Sequence, residues 1–84
     1  STVVGSGATA SHSNSIALGY LTATTAADQL ELGARHIEIT EIAADAAAPA
    51  ANGGRLYLKD NGSGKTQLCI RFNSGAVQVI ATQP

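Results

Sequence analysis

Apolar and polar positions alternate with a period of two along much of this chain, the signature of strands that bury one face. The alternation is clearest after residue 54. In Arg55-Leu56-Tyr57-Leu58-Lys59, Leu56 and Leu58 share one face, while Tyr57 and the charged residues share the other. Asp60-Asn61-Gly62-Ser63-Gly64 then supplies turn chemistry. From Thr66 to Phe72, Leu68, Ile70 and Phe72 point one way and Gln67, Cys69 and Arg71 the other. Asn73-Ser74-Gly75 closes a second hairpin, and Val77 and Val79 then oppose Gln78 and Ile80. These runs predict a three-stranded antiparallel meander over 55–82. Its core and oligomer-packing side chains are expected to be Leu56, Leu58, Leu68, Ile70, Phe72, Val77 and Val79.

Upstream the pattern is sparser. Residues 1–27 are rich in Ser, Thr, Ala and Gly, with Val3, Val4, Ile16, Leu18 and Tyr20 among the few apolar positions. Ile16, Leu18 and Tyr20 alternate with Ala17 and Gly19, which predicts one short strand in an otherwise extended arm lying on another subunit. Leu30 and Leu32 flank Glu31, and Ile37 and Ile39 alternate with His36, Glu38 and Thr40. Two further strands are expected there, broken or bulged at Gly33. A helix over Ala26 to Leu32 competes on propensity, but the period of two favours the strand. Residues 43–54 carry no period; Pro49 bars a continuous helix, and Asn52-Gly53-Gly54 supplies left-handed backbone. The expected organisation is an arm over 1–27 and a β domain over 28–84, with a linker at 43–54. An all-β fold of five to six strands follows, as a small antiparallel sandwich or barrel-like module.

Composition makes such a domain hard to stabilise alone. Hydrophobic residues form 44% of the 84, but many are alanine, with three aromatics, no Trp and no Met, so little apolar area is available to bury. Small domains compensate with disulfides, metals or association. The single cysteine excludes an internal disulfide, and two histidines with one cysteine do not reach zinc-ligand spacing. Association is the remaining route. A net charge of −1 with 13% charged residues leaves no basic footprint for nucleic acid or anionic lipid. The N-terminus has no signal-peptide pattern and no apolar run reaches a membrane span, so a soluble product made in the cytoplasm is expected.

Three groupings invite a chemical reading. Gly62-Ser63-Gly64-Lys65-Thr66 matches the tail of a phosphate-binding P-loop, yet Lys59 stands where that motif needs glycine, and a strand rather than a helix follows. It reads as a hairpin turn. Arg35 and His36 beside Glu38 and Glu41 contain proton carriers, but on a strand they form a solvated polar side. His12 has no partner in sequence, and Cys69 lacks a positioned His or a CxxC companion. No catalytic, cofactor-binding or metal-binding residue is expected, and the chain reads as non-enzymatic.

The run Ala48-Pro49-Ala50-Ala51-Asn52-Gly53-Gly54-Arg55-Leu56-Tyr57-Leu58-Lys59-Asp60, followed by a strand and Ser74-Gly75-Ala76-Val77-Gln78-Val79-Ile80-Ala81-Thr82, resembles a module of tailed-bacteriophage structural proteins. The likeness covers roughly residues 41–84. It implies a virion component assembled in the bacterial host cytoplasm, shared in kind among fibres, minor tail proteins and small head-associated proteins. A short chain with one arm, a small core and no catalytic group is similar to capsid decoration, or cement, proteins. That likeness implies a homotrimer clamping neighbouring major capsid protein subunits, with Val3, Val4, Ile16, Leu18 and Tyr20 as the capsid-contact arm. The alternatives are a tail or fibre-attachment protein, or a receptor- or glycan-binding module using Tyr57 and the turn at Asp60 to Gly64.

Overall fold

The computed structural model describes all residues from Ser1 to Pro84. The chain is all-β, with two three-stranded sheets and no helix, and so none long and apolar enough to cross a membrane. It forms two compact units, Ser1–Ile37 and Glu38–Pro84.

The first unit holds β1 (Thr2–Val4), β2 (Ile16–Leu18) and β3 (Leu30–Leu32). They lie in the order β1-β2-β3, and both pairings are parallel. Thr2 pairs with Ile16 and Ile16 with Leu30, a step of 14 residues each time. The chain therefore winds as a coil whose successive turns stack in register. Loop amides follow the same rule: Thr9 donates to the Thr22 carbonyl at 2.7 Å, Leu21 to Ser6 at 2.9 Å and Asp28 to Ser13 at 3.0 Å. The corners repeat as well. Gly5 and Gly19 have φ of 134° and 128°, Gly7 and Leu21 have 71° and 54°, and Asn14 and Asp28 have 53° and 58°.

This overturns the extended arm and the wholly antiparallel module expected from the sequence. A parallel connection needs a long return path, and here the loop between strands supplies it. Residues 36–40, expected as a strand, form none; just beyond them Ile42 makes an isolated parallel bridge to Lys59.

The second unit is the meander: β4 (Gly54–Asp60), β5 (Thr66–Phe72) and β6 (Gln78–Thr82), antiparallel in that order. A register shift at Leu68/Cys69 leaves Ile80 as the extra residue of a bulge, because Leu68 faces Ala81 and Cys69 faces Val79. Residues 41–49 lie along β4 as a strap. The Ile42 amide donates to the Leu58 carbonyl at 2.8 Å, the Asp60 amide to Ile42 at 3.2 Å, and the Asn73 side-chain amide to Pro49 at 2.8 Å. The strap decides which face of the meander is covered.

Candidate association surfaces

In the coil unit the usual distribution of side chains is inverted. Ala17, Ser15, Thr22 and Thr24 are its buried residues, and three of these four are polar. Their hydroxyls are engaged: Ser15 Oγ donates to the His12 carbonyl at 2.6 Å, Thr22 Oγ1 to Leu18 at 3.4 Å, and Thr24 Oγ1 lies 3.0 Å from His12 Nδ1. Satisfied hydroxyls add little net stability. The large apolar side chains point outward. Val4, Ile16, Leu21, Leu30 and Leu32 are exposed, and Tyr20 is 72% exposed. The strand register aligns Thr2, Ile16 and Leu30 in one outward column and Val4, Leu18 and Leu32 in another. Ala17 lies inside between Val3 and Glu31.

The meander shows the same inversion. Tyr57 is 7% exposed and Cys69 fully buried, and the two are cross-strand partners beneath the strap. The opposite face, expected from the alternation to be the core, is left open within one chain. Leu56 is 57% exposed, Phe72 and Val79 are exposed, and Leu58, Leu68, Ile70 and Val77 are half-buried. Val79 itself sits opposite Cys69 rather than with the leucines, because the bulge shifts the register of β6. Ile70 and Phe72 also floor an open groove of about 640 Å³ bounded by residues 51–54 and 73–74. A sheet with one bare apolar face lacks the second layer that stable domains provide.

One polar cluster fastens the strap. Tyr57 Oη donates to Asp45 Oδ1 at 3.0 Å, and Lys59 Nζ forms an ion pair with the same oxygen at 3.0 Å. The hydrogen bond from Lys59, and after it the one from Tyr57, holds the Asp45 carboxyl below its ordinary value of 3.8. Desolvation first, and then Asp45, raise Tyr57 above 10.0, and the bond to Asp45 raises Lys59 above 10.5. The signs give a window. A depressed carboxyl stabilises above its unfolded pKa and stops doing so as pH falls through its folded value, whereas the raised phenol and ammonium do so as pH rises through theirs. Strap protection, read from exchange of the Ile42 and Asp60 amides, is therefore expected to hold from about pH 4 to about pH 10 and to fall at both ends. In Asp45→Asn the acid limb should vanish; an unchanged acid limb would mean that another group holds the strap.

The other groupings are exposed or bonded within the chain. In the turn after β4, Asp60 Oδ1 accepts from the amides of Gly62 at 2.7 Å and Gly64 at 3.3 Å, and Asn61 Oδ1 from Ser63 at 2.7 Å and Lys65 at 3.3 Å. The amides that would face a phosphate are thus taken by the chain's own side chains. Tyr57 is buried and bonded, so it offers no ring for a sugar to stack on. Arg35, His36 and Glu38 are exposed, and Glu41 accepts from Thr66 Oγ1 at 2.6 Å. No three His, Cys, Asp or Glu side chains converge to hold a metal ion. The outward columns of the coil are the feature that sequence reasoning missed, although Gly5, Gly19 and Gly33 at equal spacing carry the signal. No protein-family model, curated protein or solved structure matches the chain.

Proposed function

We propose that this chain is a non-enzymatic structural component of a tailed-bacteriophage particle that functions as a homotrimer. The observation that carries the reading is the inversion of both units: Ala17, Tyr57 and Cys69 are the only buried hydrophobic residues, while 14 large hydrophobic side chains are exposed. Hydrophobic burial is the main favourable term in folding and association, and identical copies can supply the burial that one chain lacks. The phage resemblance of residues 41–84 gives the setting. Val3, Val4, Ile16, Leu18 and Tyr20, rather than forming a loose arm, belong to the coil that presents the contact surface.

For the position in the particle, the coil favours one reading. A unit whose turns repeat by translation extends its contacts along one axis, which suits a tail or fibre-attachment protein. The second reading is a decoration protein on the outside of the head, bridging major capsid protein subunits. It is favoured by the net charge of −1, which keeps repulsion small among many crowded copies, and multivalent contacts would sum weak contributions there. Quantitative mass spectrometry of purified particles separates the two. Few copies per particle, co-purifying with tails, are expected; copies comparable in number to the major capsid protein would place the chain on the head, and absence from particles would remove both.

A further inference from the structure

The meander has two edges, and one chain completes neither of them. At β4 the Ile42 bridge takes the Leu58 carbonyl and the Asp60 amide, so the even-numbered residues of β4 are those whose backbone groups turn away from β5. Leu56 belongs to that set, and no hydrogen bond outside the β4–β5 ladder reaches its amide or carbonyl. Gly54, Arg55 and Leu56 are exposed, whereas Lys59 and Asp60 beside Ile42 are half-buried. At β6 the Gln83 amide donates to the Thr66 carbonyl at 2.8 Å, and Ala81 faces Leu68. Backbone groups alternate in direction along an antiparallel strand, so Thr82, between those two, turns its amide and carbonyl to the open edge. All five residues of β6 are exposed, and none of Gln78-Val79-Ile80-Ala81-Thr82 is charged or proline. Edge strands usually carry such residues, or a bulge, to prevent pairing; the bulge of β6 lies at Ile80, before Thr82.

We propose that the β6 edge of one copy pairs in parallel with the free half of β4, Gly54 to Tyr57, in the next copy, so that three meanders close into one sheet. The seam rests on the homotrimer proposed above and adds how its copies join. A second copy of this chain is the partner because the two open edges match: each offers an unpaired amide and carbonyl. A head-to-tail ring uses one edge of each kind at every junction and leaves none over. Cyclic symmetry preserves strand direction around the ring, and β4 and β6 run the same way because both are antiparallel to β5. The seam is therefore parallel, as is the Ile42 bridge already seated on that edge of β4. Three sheets of three strands give nine, close to the eight whose interior side chains just fill. Leu56, Leu58, Leu68, Ile70 and Phe72 share one face through their cross-strand pairs, and that face turns inward because the strap covers the other. Each open face then gains an opposing layer, and the closed sheet has no edges.

The test mixes ¹⁵N-labelled and ¹³C-labelled full chain in equal parts and records nuclear Overhauser contacts that pass only between copies. Contacts between β6 and the Gly54 to Tyr57 half of β4 are expected. Thr82→Pro removes the outward amide and spares the bonds to β5, so its sedimenting mass should fall from three chains to one. Thr82→Val keeps the amide but, like the proline variant, loses the hydroxyl that accepts from Gln67 Nε2 at 3.2 Å, and it should stay assembled. Contacts between two β6 strands, a trimer with no contact at either edge, or a Thr82→Pro trimer as tight as the unaltered one would overturn the seam and leave the homotrimer standing. An unaltered chain that sediments as a monomer would overturn both.

Discussion

Replacing Gly19 by alanine is expected to unravel the coil, removing exchange protection from the Ile16, Thr24 and Gly33 amides that bridge its turns. Gly19 has φ of 128°, and an added Cβ would stand 2.8 Å from Thr22 Oγ1 and 2.9 Å from the Gly33 Cα. The second neighbour is backbone and cannot rotate away. Gly5 is equally constrained, since its Cβ would overlap the Gly19 carbonyl. Backbone strain of about 1–3 kcal/mol, with the clash added, brings the expected loss to about 3 kcal/mol or more, at or beyond the upper end of what single substitutions usually cost. Gly62→Ala is the control. It also has positive φ, at 90°, but its methyl would meet nothing within 4 Å, so a loss of only about 1 kcal/mol is expected. If Gly19→Ala kept full protection in the coil while Gly62→Ala lost as much stability, close stacking of turns would not be what holds residues 1–37.

Two carboxylates in the outward column, Ile16→Asp with Leu30→Asp, are expected to convert the proposed homotrimer to monomers. Ile16 is 38% and Leu30 54% exposed in the single chain, so the folded chain alone can keep both carboxylates in water. In a trimer that covers the column, each would be desolvated without a partner, at a cost of several kcal/mol. Because about 1.4 kcal/mol is tenfold in affinity, the dissociation constant should rise by three orders of magnitude or more. Light scattering on matched concentrations reads this directly, with Ile16→Val as the conservative control that should remain assembled. Equal masses for both variants would move the interface away from this column.

The meander was legible because two independent signals agreed. Alternation set the strands, and the Asp60–Gly64 and Asn73–Gly75 clusters set the turns, so the expected strand Thr66 to Phe72 coincides with β5. Which face becomes covered was not legible. Alternation places Leu56 with Leu58, but the strap determines burial, and its seating depends on Asp45 meeting Tyr57 and Lys59 across 12 and 14 positions of sequence. The coil was hidden for a different reason. Its interior accepts only small side chains such as Ala17, Ser15 and Thr24, and Ser, Ala and Thr are also the composition of flexible tails. Alternation did mark β2 at Ile16 and Leu18 and β3 at Leu30 and Leu32, but strands of three residues carry no sign of parallel stacking. The information lay in self-similarity: Gly5, Gly19 and Gly33, Ser1 and Ser15, and Asn14 and Asp28 recur at one spacing.

One copy leaves its apolar faces bare, and in the proposed homotrimer further copies cover them. Sedimentation equilibrium of the unaltered chain at micromolar concentration tests this most directly. A single species of three times the 8.4 kDa chain mass is the expected result. A stable 8.4 kDa monomer that unfolds cooperatively at the same concentration would contradict it.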